Sequence, residues 1–340
     1  METWRTTVFF LASLALLAAS AQAAPAPDKT PDAYAQAGTL VPLGHGRSLN
    51  LRCSGAGPVT VLLEAGAHAD SSSWFRVQPL LQDVARVCAY DRAGYGFSDE
   101  GPLPRGLAAD VADLHALIGA AHLHTPLVLV GHSLGSNIVR RYASVHPADL
   151  AGLVLVDPPA QDQARYMSAQ WNKDDADLNL QRDAFLAQCE QAAEAGKLAA
   201  PPTALAQCIG GPAPWQSAKV AAAAHARAER PAFWHTLRSE LAQNVQVFAQ
   251  PVPSDEAHGA LPLIVLSASD TYADAPPNDR KALDAARLDT QRRIVATSRR
   301  GELQPVAHSS HDIELGQPQA IAGAVRRIVR QLPGAPGHRT

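Results

Sequence analysis

Short runs of branched and aliphatic residues recur along the chain, and stretches with apolar residues at helical spacing separate many of them. The runs predict buried strands over residues 59–63, 86–90, 126–130, 150–156, 262–267 and 302–306. The helical spacing predicts helices over residues 74–85, 107–120, 136–145, 278–298 and 317–332. Because strands and helices alternate, we expect an α/β fold with a parallel sheet that binds ligands at the carboxyl ends of its strands.

Two segments depart from this alternation. Residues 40–58 resemble two strands around Gly44-His45-Gly46, which predicts that a hairpin opens the fold. Residues 158–260 contain no clear strand pattern, are rich in alanine, and carry aromatic residues at helical spacings. We interpret this stretch as a helical insertion. Since it follows the strand at 150–156, we expect it to lie over the ligand-binding edge of the sheet as a lid.

A tight turn joins the strand at 126–130 to the helix at 136–145, and it reads Gly131-His132-Ser133-Leu134-Gly135. Glycines on both sides relieve the crowding around a central residue whose backbone is strained and whose side chain is pushed outward. A hydroxyl at the start of a helix lies near free N–H groups that suit a developing oxyanion. We therefore predict that Ser133 is a nucleophile, with a bland Ser/Gly turn as the alternative.

Composition and charge exclude some classes of function. The 340 residues are 46% hydrophobic and 18% charged, with a formal net charge of −3, which is typical of a globular chain with ample core. There is no basic excess, so we expect neither a nucleic-acid partner nor strong attraction to a membrane surface. Small neutral substrates fit this balance better.

The N-terminal segment has the features of a secretory signal. Arg5 precedes an apolar stretch at 8–19, and Ala21-Gln22-Ala23 has the small-x-small form of a signal-peptidase site. We predict a signal peptide over residues 1–23, a mature chain that begins at Ala24 with a flexible leader over 24–38, and a periplasmic or secreted protein. An uncleaved membrane anchor is the alternative, but the apolar run is shorter than the ~20 residues that a spanning helix needs.

All four cysteines lie in the predicted mature chain, where an oxidising compartment would permit two disulfides in three connectivities. Cys53 ends an early strand and Cys88 lies in a later one, whereas Cys189 and Cys208 fall within the helical insertion. We therefore prefer the pairs Cys53–Cys88 and Cys189–Cys208. Four buried free thiols, which behave as small apolar residues, are the alternative.

A serine hydroxyl needs a base beside it, normally a histidine that a carboxylate holds in one tautomer. Among 13 histidines, His311 is best placed, because it lies in a polar loop directly after the last strand. His308 is the second candidate. We interpret His132, which precedes the nucleophile, as a structural residue of the turn.

The acid has three candidates. Asp270 follows the strand at 262–267 and has the chain order Ser, acid, His, so we prefer it. Asp157 ends the strand next to the nucleophile strand, from which its carboxylate could reach the same imidazole. Asp274 is a third choice.

Two N–H groups are needed for the oxyanion. The turn supplies that of Leu134, at the start of the helix. The loop after the strand at 59–63 contains Gly66, which lets the chain turn, so the N–H of Ala67 is our second candidate.

Together these stretches resemble the α/β-hydrolase fold superfamily, and serine esterases and lipases within it, over residues 41–332. The matching stretches are Leu63-Glu64-Ala65-Gly66-Ala67, Tyr90-Asp91-Arg92-Ala93-Gly94-Tyr95-Gly96-Phe97-Ser98, Gly131-His132-Ser133-Leu134-Gly135 and Ser309-Ser310-His311-Asp312-Ile313. The resemblance implies a central, mostly parallel, eight-stranded sheet with flanking helices, formed by residues 39–157 and 261–332. It also implies a helical cap over residues 158–260, with 333–340 as a tail.

The resemblance further implies acyl chemistry, in which Ser133 attacks a carbonyl, His311 transfers the proton and water releases the acyl group. No metal or organic cofactor is required. We expect an exported esterase that acts on a small-molecule acyl substrate. Amide or peptide hydrolysis, carbon–carbon bond hydrolysis and acyl transfer use the same residues, and a non-catalytic periplasmic ligand-binding protein is the alternative from another class.

The chain departs from the family pattern at Ala65, where a histidine is usual, and at Ser136, where many members carry a second glycine. Both departures concern the shape of the oxyanion region. The epoxide hydrolases and haloalkane dehalogenases of the superfamily use an aspartate nucleophile, and Ser133 argues against both activities.

Overall fold

An eight-stranded sheet forms the centre of the computed structural model, which describes residues 28–332. In chain order, strands β1 to β8 are Thr39–Gly44, Arg47–Ser54, Thr60–Glu64, Arg86–Tyr90, Leu127–His132, Leu150–Val156, Leu263–Ala268 and Gly301–Val306. They lie side by side in the order β1-β2-β4-β3-β5-β6-β7-β8. β1 pairs with β2, and β2 with β4, in antiparallel fashion. The remaining neighbours in the sheet, from β4 through β3, β5, β6 and β7 to β8, pair in parallel. The predicted hairpin and the mostly parallel, eight-stranded sheet are confirmed.

Nine helices accompany the sheet within residues 28–332. In chain order, α1 to α9 are Leu107–Ala120, Leu134–Val145, Ala169–Glu194, Ala206–Ile209, Ala218–Ala228, Pro231–Phe248, Pro277–Ala296, Ile313–Gly316 and Pro318–Val329. None of the helices in this range is both long and apolar enough to cross a membrane. The predicted signal peptide, its cleavage site and the tail at 333–340 lie outside the described residues.

The central strands are buried on both faces, which explains why they appear in the sequence as unbroken apolar runs. Every residue of β5, β6 and β7 is buried. Side chains alternate between two apolar clusters: Val128 and Val130 face the cluster that includes α9, whereas Leu127 and Leu129 face the one that includes α1 and α2. The period of two along each strand therefore builds one core on each side of the sheet.

The predicted helix at 74–85 is wrong. The chain there forms two short 3₁₀ turns, Ser71–Trp74 and Gln78–Leu80. Pro79 has no N–H to donate and opposes a continuous α-helix at this point. Trp74, Val77 and Leu81 are nevertheless fully buried against the sheet. The apolar spacing therefore indicated correctly which side chains are buried, but it predicted the wrong secondary structure.

Only helices and turns, and no strand of the sheet, occur between β6 and β7. Helices α3 to α6 lie in this segment and have an apolar cluster of their own, which includes Leu186, Leu198 and Trp234. Part of the predicted flexible leader packs against the same segment: Thr30 is buried and its N–H donates to the Trp215 carbonyl oxygen at 2.9 Å. The leader prediction is therefore wrong for Thr30 and for the 3₁₀ turn Asp32–Ala35, whose Tyr34 hydroxyl donates to Gln78 at 2.8 Å.

Both preferred disulfides are present. Cys53 of β2 stands directly opposite Cys88 of β4 in the antiparallel register, and the Cα atoms of this disulfide are 4.0 Å apart. Cys189 of α3 is bonded to Cys208 of α4, with Cα atoms 5.6 Å apart. The first disulfide joins two strands of the sheet, and the second joins two helices of the inserted segment.

Candidate active site

The turn between β5 and α2 holds Ser133 in a strained backbone conformation, with φ 51° and ψ −121°. A non-glycine residue rarely adopts positive φ, and such strain is characteristic of functional sites. The flanking glycines cannot be replaced without a clash, because a Cβ on Gly135 would lie 2.6 Å from the Ala65 carbonyl oxygen and one on Gly131 would lie 2.4 Å from that of Gly135. The close packing of this turn explains both glycines and places Ser133 at the start of α2.

His311 lies in the loop after β8, and its Nδ1 is 2.8 Å from Oδ2 of Asp157. Asp157 directly follows β6, is fully buried and also adopts positive φ, at 44°. Its carboxylate accepts hydrogen bonds from Arg287 Nη1 at 2.6 Å and from the Thr271 hydroxyl at 2.6 Å. Burial raises the pKa of Asp157, but the hydrogen bond with His311 and the charge of Arg287 outweigh it, so the pKa lies below its usual value. An ionised Asp157 suits a histidine that keeps its proton on Nδ1.

Asp270, the acid preferred from the sequence, does not contact His311, so the contact expected of it is wrong, and Asp157, the alternative, makes that contact. Asp270 is exposed, and its carboxylate accepts a hydrogen bond from the neighbouring Ser269 hydroxyl at 2.9 Å. Asp274 and His308 are exposed as well. The physical reason is strand order: β6 lies between β5 and β7, so the residue after β6 is next to the nucleophile turn.

The two N–H groups predicted for the oxyanion belong to residues that line the same cavity or border it. Ala67 lines the cavity with Ser133, and Leu134 is the first residue of α2. Within residues 28–332, neither N–H has a hydrogen-bond acceptor. Free donors beside an outward-facing hydroxyl are what an oxyanion site requires.

Arg92 explains the orientation of the Ala67 N–H. The sequence analysis assigned no role to Arg92. Its guanidinium is buried and donates to the carbonyl oxygens of Ala65 and Gly66, at 2.7 and 2.8 Å. In a trans peptide the C=O and the next N–H point in opposite directions. The Gly66 carbonyl turned toward Arg92 therefore turns the Ala67 N–H away from it.

The cavity beside Ser133 has a volume of about 490 Å³. Core residues on its wall include Ala67, Ser133 and His311. The inserted segment contributes Trp215, Arg227 and Phe233, among others, to the lining. A small molecule in this cavity would therefore contact both the sheet edge and the inserted helices.

His132 and Glu314 form a second buried pair behind His311. His132 Nε2 is 3.1 Å from the His311 carbonyl oxygen, and His132 Nδ1 is 3.3 Å from Oε1 of Glu314. Burial and the nearby His311 lower the pKa of His132 to about 3. Burial, with Asp312 nearby, raises the pKa of Glu314 well above its usual value. The structure agrees with the structural role predicted for His132, and the sequence reasoning missed Glu314.

Comparison with family models and curated proteins identifies related chains. A family model described as alpha/beta hydrolase fold matches residues 59–231, just over half of the chain. An uncharacterized protein of Bacillus subtilis, YqjL, is 33% identical over 112 residues, which are 33% of this chain and 44% of the relative. The chain thus covers less than half the length of the first curated relatives that it matches.

Solved structures resemble this chain over most of its length. An alpha/beta hydrolase fold protein from Burkholderia ambifaria matches 85% of this chain and 98% of its own, with a TM-score of 0.52 and 20% identity. A thermophilic esterase from Thermogutta terrifontis matches 87% and 98%, with a TM-score of 0.51 and 21% identity. These likenesses concern the fold.

Proposed function

The chain belongs to the α/β-hydrolase fold family, and we propose that it is a serine hydrolase that cleaves a small ester through Ser133, His311 and Asp157. The observation that carries this proposal is the 2.8 Å contact between Asp157 and His311 at the cavity that Ser133 lines. A strained, outward-facing serine with an oriented imidazole at the same cavity is the arrangement that acyl transfer needs.

The first half-reaction acylates the serine. His311 Nε2 accepts the Ser133 proton as Oγ bonds to the ester carbonyl carbon, and the N–H groups of Leu134 and Ala67 stabilise the oxyanion. The carbon–oxygen bond to the alcohol then breaks, and His311 gives its proton to the departing alkoxide. Nδ1 keeps its proton and donates it in a hydrogen bond to Asp157 throughout, and the carboxylate stabilises the imidazolium.

The second half-reaction returns the enzyme to its starting state. His311 removes a proton from water, whose oxygen attacks the acyl carbon, and Ser133 leaves with the proton from the imidazolium. The products are the alcohol and the carboxylic acid. Every proton passes through His311, so the chemistry balances with water as its only co-reactant.

The cavity supports a substrate of small size with an apolar part. A volume of about 490 Å³ lies within the range of small-molecule sites. Trp215 and Phe233 are apolar residues of the cavity lining, whereas Ser72 and Ser73 are polar ones. A neutral ester with a short or medium acyl chain fits these walls.

Turnover of nitrophenyl esters tests this function. We expect the folded protein to hydrolyse a series of graded acyl length, with one preferred length, and S133A to lower kcat by several orders of magnitude. Loss of activity in S133A separates catalysis at this site from hydrolysis by surface groups. No turnover of any ester by the folded protein would leave an amidase, an acyltransferase or a binding protein as the better reading.

We also propose that the protein is exported to the periplasm or secreted. Two disulfides support an oxidising compartment, because such bonds rarely persist in a reducing cytosol.

A further inference from the structure

We propose that Glu314 is a positioning residue: as a neutral carboxylic acid it donates to His132, which in turn holds the backbone carbonyl of His311. This inference rests on the proposed role of His311 as the base. The three groups form one chain of contacts, at 3.3 Å from Glu314 to His132 and at 3.1 Å from His132 to His311.

Hydrogen-bond directions set the protonation of this chain. The His311 carbonyl oxygen can only accept, so Nε2 of His132 must carry a proton. A neutral imidazole then has a bare Nδ1, which is an acceptor. Oε1 of Glu314 lies 3.3 Å from Nδ1, and it must carry a proton to donate there.

The surroundings of Glu314 favour the neutral acid independently. Glu314 is only 2% exposed, and its Oε2 is buried without a hydrogen-bond partner within the described part of the chain. An ionised carboxylate with Oε2 unpaired would lack part of the hydrogen bonding that a buried negative charge needs. A neutral carboxyl group needs one acceptor for its proton, and His132 Nδ1 supplies it.

A doubly protonated His132 beside an ionised Glu314 is the opposing arrangement. His132 is buried, and its ring lies 4.8 Å from that of His311, which becomes a cation during acyl transfer. Two adjacent imidazolium rings would repel each other. The pKa of His132, lowered to about 3 by burial and by His311, agrees with a neutral ring.

Titratable and charged groups around Glu314 and His132 come from several elements. Asp312, just before α8, and Asp157, after β6, act on Glu314, whereas His311 and His68 act on His132. Arg76 donates to the Leu315 carbonyl oxygen. Burial, Asp312 and Asp157 raise the pKa of Glu314 and outweigh the hydrogen bond from its own N–H, which lowers it. Burial and the two aspartates therefore favour the proton that the hydrogen-bond directions require.

The consequence is that the base is fixed at two points. Asp157 holds the imidazole, and His132 holds the main chain of the same residue, whose carbonyl oxygen also accepts from the Ile313 N–H at 3.0 Å. Displacement of a catalytic group by about 1 Å can cost roughly a hundredfold in rate. Glu314 would thus act on kcat through His132, without contact with the substrate.

Two substitutions of Glu314 separate positioning from mere packing. E314Q keeps a donor for His132 Nδ1, so we expect kcat to stay within about twofold of wild type. E314L keeps the volume but removes the donor, and we expect kcat to fall about tenfold to a hundredfold with KM within twofold. E302Q, at an exposed residue of β8 that pairs with Arg327, is the matched control and should change neither constant.

The pH profile supplies a second readout. In wild type, ionisation of Glu314 at high pH should lower kcat, and this loss should be absent in E314Q. The idea is overturned if E314L keeps the wild-type kcat, if E314Q loses as much as E314L, or if the E314Q and wild-type profiles coincide up to the pH of unfolding.

The tautomer of His132 tests the proposal on the folded full-length mature chain even if E314L does not fold. Nitrogen NMR of histidine-labelled protein, assigned with H132Q, should show a neutral ring protonated on Nε2 from pH 5 to 8. A proton on Nδ1, or on both nitrogens, would contradict the proposal. Because this measurement needs no turnover, it remains decisive if the protein proves inactive on esters.

Discussion

Ser133 and Asp157 share an unusual backbone feature, since both adopt positive φ immediately after neighbouring parallel strands. The strain at each position is held by fixed contacts: close glycine packing around Ser133, and hydrogen bonds from Arg287 and Thr271 to Asp157. Strained residues persist only where their surroundings determine them. The proposed nucleophile and the proposed acid are therefore both positioned by the ends of sheet strands, whereas His311 lies in a loop.

Replacement of each candidate acid by asparagine distinguishes Asp157 from Asp270. We expect D157N to lower kcat roughly a thousandfold to ten-thousandfold, because an amide favours the wrong histidine tautomer. D270N should stay within about twofold, since the Asp270 side chain is exposed and does not reach His311. Steady-state kinetics on a nitrophenyl ester, with thermal unfolding to verify folding, gives the ranking. A larger loss in D270N would reverse the assignment.

The contrast between these residues shows what a sequence can specify. The turn and the polar loop carry local signals, and the structure brings Ser133 and His311 to one cavity as the sequence led us to expect. The partner of His311 carries no such signal, because its contact with Asp157 depends on which strands are neighbours in the sheet. Glu314 and Arg92 were missed for a similar reason, since the groups that they contact lie 182 and 26 to 27 positions earlier. In the sequence, each of them is recognisable only as a charged residue near a motif.

At the scale of elements, Arg92 connects the oxyanion loop to the inserted helices. Its guanidinium binds the Ala65 and Gly66 carbonyls and also pairs with Glu64 and with Glu240 of α6, each at 2.9 Å. All of these groups are buried, where an ion pair must be fully hydrogen-bonded to be tolerated. The position of α6 is therefore coupled to the orientation of the Ala67 N–H.

Substitution R92K tests this coupling. Lysine keeps the charge but cannot bind two carbonyl oxygens and two carboxylates in one plane. We expect kcat to fall about tenfold to a hundredfold, with a small change in KM, because one oxyanion donor becomes misaligned. R140K is a matched control, since Arg140 is also buried and doubly bonded to a glutamate, Glu256, away from the catalytic cavity. Equal kcat values for R92K and wild type would refute the coupling.

The pair of Arg140 on α2 with Glu256, in the chain before β7, predicts a pH-dependent stability. Burial raises the pKa of Glu256, but His258 and Arg140 outweigh it and lower the pKa to about 2. A lowered pKa stabilises the fold above the unfolded value of about 4.5, and this contribution is lost as the pH falls toward 2. We expect E256Q to lose up to about 3 kcal/mol of unfolding free energy at pH 7, and little at pH 2.5.

Urea unfolding at both pH values measures this loss. E302Q, which removes an exposed carboxylate, is the control and should lose less than about 1 kcal/mol at either pH. A loss for E256Q that is equal at pH 7 and pH 2.5 would show that the charge of Glu256 is not its source.

The elements also show where apolar periodicity is informative. Unbroken apolar runs at 126–130 and 150–156 identified β5 and β6, because a strand buried on both faces is apolar at every position. Helical spacing at 74–85 identified the buried side chains but predicted a helix that does not form. Pro79 cannot donate the hydrogen bond that a continuous α-helix needs, while the side chains still pack on the sheet. The chemistry of a single residue overrode the pattern there.

At the scale of the whole molecule, the site lies between the sheet edge and the inserted helices. Arg227 of α5 pairs with Asp70 of the core at 3.2 Å, and Trp215 stacks on Phe75 with ring centroids 5.8 Å apart. The Thr30 N–H donates to the same Trp215 backbone, so the start of the described chain is tied to this wall of the cavity. The wall beside the substrate would therefore be held together by three separated parts of the chain: the start of the described residues, the segment after β3 and the inserted helices.

Export is the prediction that concerns the N-terminal segment. Protein recovered from the periplasm or medium should begin at Ala24, because Ala21-Gln22-Ala23 has the form of a cleavage site. N-terminal sequencing provides the measurement, and a variant with Ala23 replaced by a bulky residue, A23W, should accumulate uncleaved. An intact Met1 terminus in the membrane fraction would favour the anchor instead.

The most direct test of the central claim is covalent labelling of the folded, full-length mature protein with a fluorophosphonate, followed by intact mass measurement and peptide mapping. The account predicts one adduct per chain on Ser133, no adduct in S133A, and slower labelling in D157N than in D270N. A folded wild-type protein that takes up no label, or S133A that is labelled as fast as wild type, would contradict it.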